Sequence, residues 1–138
     1  MRRAATTLLT ASVVMAISTG CGDDTGAGSS DPARQYSVDL RAEERGDEYA
    51  FVAEQALDLQ VGDRVSFEVR NAGALAHDMQ VLAPDGTVIA TGAAVGPGQT
   101  LELTVDFAQP GYYRLNCNVD DHLTRHDMQA IVEVIKAD

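Results

Sequence analysis

The chain has 138 residues, 45% of them hydrophobic, with no Trp, three Phe and a formal net charge of −11. That length allows one domain with a core of its own, built mainly from aliphatic side chains. The charge excludes a nucleic-acid partner, since no basic stripe is present to meet phosphates, and favours basic or cationic partners whose approach depends on salt.

Residues 1–20 read as an export signal. Arg2 and Arg3 form a charged start, Ala4 to Ile17 is uncharged and largely apolar, and Ser18-Thr19-Gly20 supplies small residues before Cys21. Ala4 to Gly20 barely reaches the lower limit for spanning a bilayer, which argues against a permanent transmembrane helix. The ending resembles the lipobox of bacterial lipoproteins, in which the cysteine is lipidated and becomes the new N-terminus, although Ser18 stands where that family usually has Leu. The resemblance implies an extracytoplasmic protein tethered to the membrane through Cys21; an ordinary secretory signal, giving a secreted protein, is the alternative. Loss of Arg2 and Arg3 with the signal leaves a charge of about −13. With Cys21 lipidated, Cys117 is the one thiol left in the folded domain, and in an oxidising compartment it is either buried and inert or reserved for chemistry.

Residues 21–35, rich in Gly, Ser and Asp, read as a flexible linker, so the domain is expected over 36–138. Within it short apolar or alternating segments are separated by turn signals. Tyr36 to Leu40 alternates, and Glu48 to Ala53 and Ala56 to Val61 read as strands, the latter closed by Gly62-Asp63. Val65 to Val69 alternates strictly and stops at Asn71-Ala72-Gly73. Met79 to Leu82 leads through Pro84-Asp85-Gly86 into Thr87 to Ala90. Gly96-Pro97-Gly98 breaks the chain again. Leu101, Leu103, Val105 and Phe107 share one strand face, Pro110-Gly111 turns into Tyr112 to Asn116, and Ala130 to Ile135 is the last strand. Seven or eight strands at this spacing predict an all-β antiparallel sandwich in Greek-key order. The rival is a helix over Glu43 to Leu59, which has Ala and Glu enough to support one but is weakened by Gly46 and by Tyr49, Phe51 and Val52.

The tetrapeptide HDMQ occurs twice, at His77 and at His126, and the chain holds only three histidines. His77 follows Asn71-x-Gly73. Cys117, His122 and Met128 gather on one loop between the last two strands. Thiolate and thioether suit Cu(I), and imidazole suits either copper oxidation state. A His2Cys set with a long, weak Met is the pattern of blue-copper electron carriers.

The arrangement resembles the cupredoxins (plastocyanin-like and azurin-like proteins) over about Gln55 to Lys136. The match is strongest at Asn71 to His77 and Gly111 to Val134, with Tyr113-x-x-x-Cys117 on the penultimate strand. The resemblance implies a cupredoxin-like sandwich holding one copper ion, Cu(I)/Cu(II). His77, Cys117 and His122 would be equatorial ligands and Met128 the axial one, in one-electron transfer with a redox partner protein that carries a complementary basic patch. Copper binding and delivery in the cell envelope is the alternative. His122 stands in Cys-x4-His and leaves five residues before Met128; His126, in Cys-x8-His, leaves only one, too short a link to bring both side chains around one ion. In the first HDMQ, then, the histidine is the ligand, and in the second the methionine. His126 is expected as an exposed loop residue or minor modulator, Met79 as core, and Asp120-Asp121 as a solvated loop tip.

Three departures from the family stand out. The gap from His122 to Met128 is one residue longer than in the commonest loops, His126-Asp127 replace a frequent single Gly, and Asp78 stands where Asn or Ser often donates a hydrogen bond. An enzyme is disfavoured, because multicopper oxidases and copper nitrite reductases need further histidine clusters that three histidines cannot supply. Zinc on Cys117, His77 and His122 would leave the methionine idle, and a cysteine hydrolase lacks any sign of a base or oxyanion site.

Overall fold

The computed structural model describes residues 33–138; the expected export signal and Cys21 lie outside them. Nine strands form two packed sheets, one more than the upper expectation. They are β1 (Gln35–Arg45), β2 (Glu48–Ala53), β3 (Leu59–Gln60), β4 (Arg64–Asn71), β5 (His77–Leu82), β6 (Val88–Val95), β7 (Thr100–Asp106), β8 (Gly111–Asn116) and β9 (Gln129–Ile135). One sheet runs β2-β1-β4-β7 and the other β3-β9-β8-β5-β6. Most neighbours are antiparallel, but β1 pairs with β4, and β3 with β9, in parallel.

The rival helix over Glu43 to Leu59 is absent: its first half is the end of β1 and the whole of β2, joined at Gly46, which adopts φ 66°. Phe51, buried on β2, explains the choice, because only the extended chain aims it inward in register with Ala42 of β1. β1 starts at Gln35, one residue before Tyr36. Arg34 donates to Asp63 from Nε (2.7 Å) and Nη2 (2.6 Å), and Gln35 already pairs with Arg64. Asp63, itself buried, accepts in addition from the Gln60 backbone N–H at 2.7 Å and fixes the turn between β3 and β4.

Period-two alternation fills the space between the sheets. Val38, Leu40 and Ala42 lie beside Val65, Phe67 and Val69 on the inner face of one sheet, while Met79, Val81, Tyr113, Leu115, Val132 and Val134 come from the other. Met79 is completely buried among them, as expected. Phe107 packs edge-on against Phe67 (6.4 Å) and Tyr113 (4.9 Å), and the Tyr113 hydroxyl donates to the Gln109 carbonyl at 2.9 Å. Each such buried side chain contributes roughly 1.5–3 kcal/mol.

The inward rows explain why distant residues meet. β5 and β9 both run antiparallel to β8, so the start of β5, the end of β8 and the start of β9 share one edge of the sandwich. Extending each row by its own period puts His77 ahead of Met79, Cys117 after Leu115, and Met128 ahead of Ala130, all facing inward at that edge. The segment from Cys117 to Met128 leaves and returns at the paired residues Asn116 and Gln129.

Candidate metal centre

Two loops and one hairpin build this end of the molecule. The loop before β5 is pinned by Asn71, a buried residue at the end of β4. Its side-chain amide donates to the carbonyls of Leu75 (2.7 Å) and Val95 (2.9 Å), and its oxygen accepts from the Gly73 N–H at 3.0 Å. That is the physical content of the N-x-G signal: one buried amide satisfies three backbone groups and so fixes the loop that delivers His77.

The loop after β8 contains a turn that strand reasoning did not anticipate, the short helix α1 (His122–His126). It ends at Asp127, whose backbone is left-handed (φ 49°), and the Met128 N–H returns to the His122 carbonyl at 2.9 Å. The helical turn takes up five residues of this loop, and Asp127 adopts at the position before Met128 a conformation that glycine adopts more easily. The Cys117 N–H donates to the Met128 carbonyl at 3.0 Å, which closes the loop at its base.

His77, Cys117 and His122 converge. Their donor atoms lie within 4.8 Å of one another, with Cys117 Sγ 3.8 Å from His77 Nδ1 and 3.5 Å from His122 Nδ1. All three are buried: 1% exposed for His77, 0% for Cys117 and 3% for His122. Met128, fully buried, opens the β9 row at the same edge. His126 is elsewhere. Its ring stacks on Tyr49 of β2 (4.0 Å between centroids, 5° between planes) and its Nδ1 lies 3.0 Å from the Asp47 carbonyl. Half-buried at the end of α1, it is less open than a loop residue would be. Tyr49 also meets the His122 ring edge-on at 4.9 Å and the His77 ring at 6.4 Å, so the β1–β2 hairpin packs over the cluster. Asp120 and Asp121 are exposed, as are Asp47, Glu48 and Asp127.

Electrostatics favour neutral imidazole and set opposing influences on the sulfur. Burial pulls the His77 ring below its ordinary value, against the pull of Glu44. Burial pushes the Cys117 thiol up, while the backbone N–H groups of Asp78 and Val119 favour the thiolate. The Asp78 carboxylate does not donate; its Oδ1 accepts from the Asn118 N–H at 2.6 Å and ties the start of β5 to the residue after Cys117.

Glu44 and Tyr49 are the residues that sequence reasoning missed. Glu44 Oε1 lies 2.5 Å from His77 Nε2, and the same carboxylate accepts from the N–H groups of Ala74 (2.8 Å) and Leu75 (3.1 Å). Both residues belong to the hairpin, far from the ligand motifs in order, and only the strand register of β1 and β2 could have brought them forward.

The donor set is one soft sulfur and two imidazoles, buried and held on or between strands, with a thioether at the same edge. That chemistry suits a soft or borderline transition metal and not a hard, oxygen-seeking cation.

No model of a known protein family matches the sequence, and no curated protein matches it. Solved structures do. A reduced auracyanin from the photosynthetic bacterium Roseiflexus castenholzii aligns with TM-score 0.58 and 16% identity, covering 71% of this chain and 95% of its own. Auracyanin A of Chloroflexus aurantiacus, described as a "blue" copper protein, gives 0.55 at 20% identity over 72% and 99% of the two chains. Rusticyanin of Thiobacillus ferrooxidans gives 0.56 at 15%, over 74% and 78%.

Proposed function

Since the fold is that of the cupredoxins, we propose that this domain is a type 1 copper protein that passes single electrons, with His77, Cys117, His122 and Met128 as the ligands of one copper ion. The observation that carries the reading is the buried convergence of Cys117 Sγ with the Nδ1 atoms of His77 and His122. Bound copper supplies the one-electron couple, Cu(I)/Cu(II).

Every other part of the task falls to the chain. Cys117 would give the covalent thiolate and the electronic route, His77 and His122 would hold the ion through the Nδ1 atoms that face Cys117 Sγ, and Met128 would tune the potential. Rows anchored on β5, β8 and β9 resist rearrangement, which keeps the cost of changing charge low. Burial excludes water and also bears on the alternative, copper delivery. Donors that are at most 3% exposed favour an ion that stays while the electron leaves. No further histidine cluster exists for catalysis, since the third histidine is stacked on Tyr49.

The exposed acids Asp47, Glu48, Asp120, Asp121 and Asp127 near the cluster suit a redox partner with a basic patch. Among the described residues no helix is long and apolar enough to cross a membrane. The export signal and Cys21 support an extracytoplasmic protein held to the membrane by lipid. The test is to add Cu(II) to the purified protein. Strong absorption near ~600 nm, where thiolate-to-Cu(II) charge transfer is expected in such sites, should develop in the wild type and vanish in Cys117→Ser. A protein that stays colourless with its thiol still titratable refutes the proposal.

A further inference from the structure

The carboxylate of Glu44 is required by none of the ligand motifs, yet it touches both the loop that delivers His77 and the ring itself. We infer that Glu44 is the positioning residue of this centre: reaching from β1, it fixes the His77 ring with the proton on Nε2 and Nδ1 bare towards Cys117, and it keeps a negative charge beside the ion. The statement about charge rests on the copper reading; the statement about the ring does not.

The hydrogen-bond chemistry gives the tautomer. Ala74 N–H meets Oε2 at 2.8 Å and Leu75 N–H meets Oε1 at 3.1 Å, and a backbone N–H can only donate, so both carboxylate oxygens serve as acceptors. An ionised carboxylate has nothing to donate to His77. The ring nitrogen 2.5 Å from Oε1 must therefore donate, which leaves the other nitrogen, 3.8 Å from Cys117 Sγ, with a free lone pair.

Steric evidence agrees. A Cβ at Gly73 would land on the Glu44 carboxylate, so the loop is shaped to admit this group. Asn71 fixes the loop from one side, Glu44 from the other, and His77 leaves it already oriented. His122 is oriented differently, by its place on α1 and the edge contact with Tyr49. Carboxylates on the far nitrogen of a ligand histidine generally fix its orientation and raise its basicity, and their loss costs about 10–100-fold in metal affinity.

The test uses the full chain as wild type, Glu44→Gln, Glu44→Ala and Gly73→Ala. In the metal-free proteins, nitrogen-15 NMR of the histidine rings should place the His77 proton on Nε2 in the wild type. It should also do so in Glu44→Gln, whose amide oxygen still accepts, whereas Glu44→Ala and Gly73→Ala should give a mixture. With copper added, Glu44→Gln should favour Cu(I) over Cu(II) about tenfold more than wild type, a rise of about 60 mV in potential. Glu44→Ala should bind Cu(II) about 10–100-fold more weakly. A His77 proton on Nδ1 in the metal-free wild type, a ring unchanged in Glu44→Ala, or an unchanged potential in Glu44→Gln overturns the inference. Tautomers as expected in a wild type that takes up no copper would uphold the positioning role while the copper reading fails.

Discussion

Replacing His126 with alanine should leave copper binding intact and weaken the fold by a measurable amount. The stacked contact with Tyr49, 4.0 Å between centroids and nearly parallel, contributes about 0.5–1.5 kcal/mol. The exposed hydrogen bond to the Asp47 carbonyl adds about 0.5–1 kcal/mol. Together they give about 1–2.5 kcal/mol, which in a domain of this size lowers Tm by about 4–20 °C. His122→Ala acts on a different quantity, because it removes the ring nitrogen 3.5 Å from Cys117 Sγ and with it one of the donors. The assay pairs a thermal melt of each metal-free variant with a Cu(II) titration followed by visible absorbance. His126→Ala should melt earlier and keep the thiolate band; His122→Ala should lose the band. Colour lost in His126→Ala but kept in His122→Ala would reverse the assignment of the second histidine, and a His126→Ala melt unchanged from wild type would refute the role given to the stack.

Asn71→Ala should cost about 2–3 kcal/mol, because the carbonyls of Leu75 and Val95 and the N–H of Gly73 lose their buried partner; chemical denaturation checks this. Met128→Leu conserves volume at a fully buried position, so it should cost the metal-free protein less than about 1.5 kcal/mol. Without the thioether the reduction potential should rise, as voltammetry would show. Asp63 is held below its ordinary 3.8 chiefly by the Arg34 guanidinium, against burial. Its contribution is therefore present above about pH 4 and disappears as the pH falls through the lowered value. Asp63→Ala should lose about 2 kcal/mol at neutral pH and show a flatter acid limb than wild type in pH-dependent melts.

The strands were legible wherever alternation was strict, as in Val65 to Val69 and Leu101 to Phe107, because one face of each is buried and the other wet. Composition without periodicity left one segment with a rival. From Glu43 the Ala and Glu content offers a helix against the strand read over Glu48 to Ala53, and pairing between Ala42 and Phe51 across Gly46 makes it a hairpin. β6 extends to Val95, beyond the expected Ala90, because Gly92 and Val95 pair with Met79 and His77 of β5, a long-range register with no local signature. The cluster of His77, Cys117 and His122 was legible through donor chemistry and loop spacing. α1 was not, since five residues with a left-handed Asp127 carry no helical period. Glu44 and Tyr49 were invisible for a related reason: their relevance depends on how the hairpin packs across the sandwich, and nothing near them in the chain marks it.

Three of the four proposed donors sit in the single connection between Cys117 and Met128, and its two ends are anchored on directly opposed residues, Asn116 and Gln129. Such a segment is an exchangeable cassette. Residues can be added or removed within it while the rungs of the ladder beneath stay in place, and each doubling of a flexible loop costs only about 0.6 kcal/mol in closure entropy. Chains sharing this scaffold can therefore change their donor sets by rewriting one short insert, leaving the supporting architecture untouched.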